Sequence, residues 1–198
     1  LRYTDASRRS KRFIIQYAGT LYPYQRLDMF LKALNKVALK WPKQSWDLRF
    51  LGLKTQPDQI ERIEQIVDSS LLDNIAYTDR LPYKETIEAL GNGSVSLLLS
   101  RQGYQSLFTK VFDYLYVRKP ILFVQSDGSI LKQLITECDA GICCNTTEET
   151  EQGLERLFRQ HQKHGDKPWG NPDRIKTYSR KHQAGVMAQF LHSIVNDN

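Results

Sequence analysis

"SVSLLLSRQGYQSLFTKVFDYLYVRKPILFVQ" runs from Ser94 to Gln125 and decides the fold. Ser94–Ser100 is a continuous apolar run, without the alternation of a half-exposed strand, and reads as a strand buried on both faces. A polar opening then passes into a helix-like stretch, from about Thr109 to Val117. "KPILFVQ", residues 119–125, reads as the next strand. Strand, helix and strand in this order form the parallel crossover unit. In the helix, Lys110 and Asp113 stand three apart, which puts a cation and a carboxylate on one face.

The same alternation extends outward in both directions. Upstream, "RFIIQYAG" holds a strand, Phe13 to Tyr17, that ends at Gly19. Leu27, Phe30, Leu31, Leu34, Val37 and Ala38 then recur at three and four, a helix closed before Pro42. Asp47–Leu53 is a second strand, and "PDQIERIEQIVDSS" a helix with Ile60, Ile63, Ile66 and Val67 on one side. "NIAYTDRL" is a third strand with its loop, and "PYKETIEALGNG" a short helix with Gly91 and Gly93 at its C-terminal end. Downstream, "SILKQLITECDAG" is a helix and "ICCN" a sixth strand. "TTEETEQGLERLFRQHQ" is a helix with Thr147 as expected N-cap. The tail, from about residue 172, reads as one or two helices. The fold class is therefore α/β: a Rossmann-like, doubly wound parallel sheet of about six strands with helices on both faces.

The 198 residues suffice for one domain with a substantial core. No apolar run approaches the roughly 20 residues of a membrane span, and no secretory signal is visible. Three cysteines, with no CxxC spacing, read as buried reduced thiols. The net charge of +6 is uneven. Residues 2–12 hold five basic and one acidic residue, and residues 156–182 hold eight and two, whereas 13–155 hold 15 and 18. A nucleic-acid reader carries its basic stripe across the fold, so none is expected as partner. The surplus suits anionic surfaces near the two ends.

Neither GxxxxGK[ST] nor GxGxxG occurs, and "GNGS" (Gly91–Ser94) precedes a strand instead of following one. No HExxH, GxSxG or Cys/His ligand set is present. Ligands of doubly wound sheets bind beyond the carboxyl ends of the strands. Those ends are Gly19–Gln25, Thr78–Pro82, Ser100–Thr109 and Ser126–Ser129. The helix that opens near Thr109 offers N–H groups and a partial positive charge to an anion, flanked by Arg101 and Lys110. Asp113 can accept two hydrogen bonds from a vicinal diol such as ribose. Phosphate and diol together describe a nucleotide. The plainer alternative is a solvated Lys110–Asp113 pair on a helix surface.

Four stretches, "FIIQYAGTLYPYQRLDMFLKAL", "NIAYTDRLPYKETIEALGNGSVSLLLS", "TKVFDYLYVRKPIL" and "LITECDAGICC", resemble in order and spacing the C-terminal, donor-binding half of GT-B glycosyltransferases of the family 4 type, enzymes of bacterial cell-surface polysaccharide synthesis. The resemblance covers about residues 12–145. It implies a linker remnant at 1–11 and one nucleotide-sugar-binding domain at 12–198. It implies a hexosyltransferase that uses a UDP-, GDP- or similar nucleotide sugar, without a metal, on a glycan or lipid-linked acceptor. The acceptor-binding domain would precede residue 1, and the half alone would be inactive. The implied location is the cytoplasm, with contact to the inner face of the membrane through the basic ends. The alternative is a non-catalytic nucleotide- or anion-binding Rossmann-like module.

The resemblance also assigns residues. Of the family's two Glu, the one that binds the ribose falls on Asp113, and the one that contacts the donor sugar falls on Gln105. Ser106, Leu107, Phe108 and Thr109 would face the diphosphate. After Gly19, the family's Arg and Lys positions hold Thr20 and Gln25, so Arg26, Arg101 or Lys110 must supply the charge. The base would lie near Arg80, Leu81 and Pro82.

Overall fold

The computed structural model describes residues 12–103, 105, 107–126 and 128–196. The sheet strands are β1 (Phe13–Ala18), β2 (Trp46–Leu51), β3 (Ile75–Tyr77), β4 (Val95–Leu99), β5 (Ile121–Val124) and β6 (Gly141–Cys144). They form one six-stranded sheet in the order β3-β2-β1-β4-β5-β6, parallel throughout. The stretch 94–125 behaves as its sequence suggests. β4 is buried along its whole length and pairs with β5 from Ser96↔Ile121 to Leu99↔Val124.

The helices between are α1 (Leu27–Ala38), α2 (Pro57–Ile66), α3 (Tyr83–Gly91), α4 (Lys110–Val117), α5 (Ile130–Glu137) and α6 (Thr147–His164). α7 (Pro172–Thr177) and α8 (Arg180–Asn196) follow. Two apolar clusters, one per sheet face, make the core. One gathers Ile15, Tyr17, Leu48, Phe50, Leu97 and Leu99 with α1, Ile63 of α2 and Leu154 and Leu157 of α6. The other gathers Ala18, Leu51, Leu98 and Phe123 with Leu90 of α3, Val111, Tyr114 and Leu115 of α4, and Leu131 and Leu134 of α5. Alternate residues of one strand thus serve opposite faces. The 3–4 spacing read in α1 is a buried stripe: Leu27, Phe30, Leu31, Leu34, Val37 and Ala38 are all inaccessible.

The cap of α6 is Thr146, one residue before the expected Thr147. The Thr146 hydroxyl accepts from Glu149 N at 3.1 Å, and the Glu149 carboxylate accepts from Asn145 N at 2.6 Å. A hydroxyl three residues ahead of a Glu is what a capping box needs, and only Thr146 has that spacing. At the other end of α6, His161 Nδ1 lies 2.9 Å from Asp166 Oδ1, and Lys119 lies 3.9 Å from the same carboxylate. His161 is buried and braces a chain reversal.

The edge strand β6 sits close to β5. A Cβ on Gly141 would collide with the Ile121 carbonyl oxygen and carbon, both main-chain atoms held in the ladder. Gly141→Ala should therefore cost about 1–3 kcal/mol, the range of overpacking. The check is urea unfolding, with a lower midpoint and an unchanged slope.

Candidate functional site

In this strand order the chain leaves β1 toward one face and β4 toward the other, which opens a crevice at their carboxyl ends. β1 ends at Ala18, whose N–H donates to the buried Tyr114 hydroxyl at 3.2 Å. Gly19 then turns at φ +88°, a conformation that side chains rarely adopt, with its N–H bonded to Leu51 O at 2.9 Å. A Cβ there would lie 3.8 Å from Lys110 Nζ, so the Lys110 ammonium reaches from α4 to the first turn after β1.

Lys110 Nζ donates to the Tyr17 hydroxyl at 3.0 Å and sits 4.1 Å from the centre of its ring. The Tyr17 hydroxyl is also 2.7 Å from Thr20 O and 3.0 Å from Gln25 Oε1, and its one proton serves those two acceptors. Burial, and then the neighbouring Tyr114, hold the Tyr17 phenol far above its ordinary range, so it stays neutral. Lys110 makes no ion pair among the described residues, and burial lowers its pKa to about 8. A half-buried cation without a counter-charge is poised to take an anion.

Asp113 faces elsewhere. Its Oδ1 accepts from the Tyr83 hydroxyl at 2.9 Å, and that bond pushes the Tyr83 phenol up. Lys110 and Asp113 are thus not the solvated pair of the plainer reading. One turn of α4 sends the cation under β1 and the carboxylate toward α3. The N-terminus of α4 is less open than the sequence suggests. Thr109 caps it without a side-chain bond, while Val111 N and Phe112 N bond back to Phe108 O and Thr109 O at 3.0 and 3.1 Å. Fewer backbone donors remain there, and the weight shifts to the lysine.

The remaining candidates divide by what they already hold. Gln25 is 1% exposed, and its Oε1 accepts from Tyr22 N at 2.9 Å as well as from Tyr17. Its Nε2 donates to Leu99 O at 2.9 Å, so the side chain is engaged in holding the loop. Arg26 forks onto Asp28 at 3.1 and 3.2 Å and reaches Gln125 at 3.4 Å. Arg101 lies 5.2 Å over the ring of Tyr24, which is stacked on Tyr22. Thr20 lends its carbonyl to Tyr17.

Gln105 donates to Gly128 O at 2.9 Å and ties the loop after β4 to the loop after β5. Leu107 and Thr109 are exposed and Phe108 is half-buried, while Ser106 lies outside the described residues. In the loop after β3, Leu81 packs on the second core cluster. The side chain of Arg80 crosses the end of β2 near Gly52, and Pro82 caps α3.

Two residues, the partners of Lys110 and Asp113, escape a sequence reading that stops at motifs. Tyr17 counts there as a core residue of β1, and Tyr83 as the first residue of a helix. For Tyr17 the usable signal is a tyrosine near the carboxyl end of a strand, an apolar ring with a polar tip. Among the described residues, no group of three or more His, Cys, Asp or Glu could hold a metal ion, and no helix is long and apolar enough to cross a membrane. Burial pushes the Cys143 and Cys144 thiols up to about 11 and 12, as inert thiols require.

No family model and no curated protein matches the chain. Solved structures do. A glycosyltransferase from Rickettsia africae ESF-5 superposes with a TM-score of 0.61 at 14% identity, over 76% of this chain and 38% of that one. The GtfA/B complex gives 0.68 at 13%, over 97% and 38%. Anabaena Alr3699/HepE, in complex with UDP and glucose, gives 0.55 at 13%, over 78% and 39%. The likeness is one of fold. The chain has the fold of part of these glycosyltransferases and spans 38–39% of their length.

An anion offered to Lys110, a nucleoside diphosphate being a suitable probe, should bind less tightly as pH rises through about 8, because the unliganded Lys110 loses its proton there. The terminal phosphate of the ligand is fully ionised over that window, its second pKa being near 6. Lys110→Met should weaken binding about tenfold at pH 7, the value of one charge-assisted hydrogen bond. It should also remove the pH dependence. Calorimetry between about pH 7 and 9.5 reads both.

Proposed function

We propose that this chain is the donor-binding part of a hexosyltransferase of the GT-B type, family 4, in cell-surface polysaccharide synthesis. The observation that carries the reading is the Lys110 ammonium, without an ion pair among the described residues and 3.8 Å from where a Cβ on Gly19 would stand, at the switch point of the sheet. Asp113, in the same turn of helix, supplies a carboxylate for the ribose hydroxyls. Arg80, Leu81 and Pro82 lie on the side of β3 and supply the wall for the base. HepE, whose fold this chain shares in part, is described with UDP and glucose.

In the reaction, the bond between the anomeric carbon and the leaving diphosphate breaks, and an acceptor hydroxyl forms the new bond to that carbon. The diphosphate leaves with its charge met by Lys110, a fixed cation in place of a metal. The acceptor's proton goes to a base on a separate acceptor-binding domain. The 38–39% span of the neighbours supports such a division. The isolated chain would then bind the donor weakly and not transfer it, in the cytoplasm. The exposed basic residues between 156 and 182 would rest against the inner face of the membrane.

A second reading, a nucleotide- or anion-binding module without catalysis, draws on Gln105, which is neutral and bonded to Gly128 O at 2.9 Å. Thermal shifts and calorimetry with UDP, GDP and their sugars separate the two. The donor reading expects stabilisation by one nucleotide family in the wild type and a clearly smaller shift in Asp113→Ala. Equal shifts in both proteins would sink the ribose assignment. No binding at about millimolar ligand would favour the degenerate module, and turnover by the chain alone would overturn the division into halves.

A further inference from the structure

Asp113 is one methylene shorter than a glutamate, and an unassisted aspartate on a helix surface samples several rotamers. Here its Oδ1 is held by the Tyr83 hydroxyl at 2.9 Å. Tyr83 opens α3 directly after Pro82, whose φ of −54° and ψ of 151° set the entry of the helix. That entry is pinned twice, by Thr86 N to Pro82 O at 2.9 Å and by the Thr86 hydroxyl to the same oxygen at 3.1 Å. The ring itself is 70% exposed. Core packing therefore does not explain where it lies, and its polar tip is the part with a partner.

We infer that Tyr83 is a positioning residue for the ribose of a bound nucleotide: it fixes the Asp113 carboxylate so that the remaining oxygen meets the vicinal diol. This rests on the reading of Asp113 as the ribose-binding group. A carboxylate offers about four lone-pair sites, and one phenol occupies one of them. The phenol spends its proton on Asp113 and keeps lone pairs that can accept from a ribose hydroxyl, so carboxylate, phenol and diol close one hydrogen-bonded ring. The juxtaposition also joins the two halves of nucleotide recognition. This bond, which spans 30 residues of sequence, links the start of α3, directly after the base-side loop, to the ribose-side helix. Selectivity for ribose over deoxyribose is the function that such a ring serves.

The test compares UDP with 2′-deoxy-UDP, and GDP with 2′-deoxy-GDP, by calorimetry on the wild type, Tyr83→Phe and Asp113→Ala. The wild type should prefer the ribonucleotide of the pair it binds by about tenfold. Tyr83→Phe, which keeps the exposed ring, should cut that preference to within about threefold and leave the deoxynucleotide affinity unchanged. Asp113→Ala should abolish the preference. If Asp113→Ala abolishes it and Tyr83→Phe keeps it, Tyr83 has no part in ribose recognition. Equal weakening of both nucleotides by Tyr83→Phe would also overturn the proposal. A preference that survives in Asp113→Ala, or is missing from the wild type, would instead remove the ribose reading on which it rests.

Discussion

One phenol hydroxyl organises the carboxyl end of this sheet. The Tyr17 oxygen lies within 3.0 Å of a backbone carbonyl, a buried amide and an ammonium. Each contact constrains a different segment: the turn after β1, the entry to α1 and the start of α4. Because the phenol stays neutral, it orients Lys110 without cancelling its charge. Desolvating the ammonium costs stability, and the Tyr17 hydroxyl and ring offset part of that cost. The ammonium is thus held in place by the protein's own groups.

Lys110 and Asp113 show how far one-dimensional reading reaches. Their spacing of three correctly places them on one helical turn, yet they part, because each finds a tyrosine from a different element. The strands were legible because continuous apolar runs such as Leu97–Leu99 have no other stable place in a chain of this size. The stripe of α1 was legible because burial repeats at the helical period. Gln25 was not. A neutral amide where its resemblance expects a diphosphate cation turns out to satisfy a carbonyl, an N–H and a phenol in the core, and no local pattern announces contacts 74 residues away. The cap of α6 was missed by one residue, because two adjacent threonines look alike until the reach of Glu149 is considered.

The two cations between α4 and β5, Arg118 and Lys119, serve structure by holding the segment that follows α6. Arg118 donates to the carbonyls of Trp169 and Gly170 at 3.3 and 3.1 Å, and Trp169 N returns a bond to Arg118 O at 2.8 Å. Asn171 N bonds to Cys138 O at 2.7 Å. With the His161–Asp166–Lys119 group, these contacts lay the segment from Gly165 to Asn171 along the amino ends of the strands, away from the crevice. The two ends of the sheet thus differ: one holds the segment that follows α6, and the other carries the Lys110 ammonium beside Tyr17.

The pairing of β1 with β4 joins residues about 80 apart, Ile15 with Val95 and Gln16 with Ser96, while β1, β2 and β3 are linked by short crossovers. During synthesis the first three strands can pair before residue 95 exists. The crevice cannot: it needs the second half of the sheet beside the first, and non-local closure of this kind is the slow part of folding. The juxtaposition of Tyr17 and Lys110 at this seam is therefore formed only once β4 and α4 have joined the first three strands.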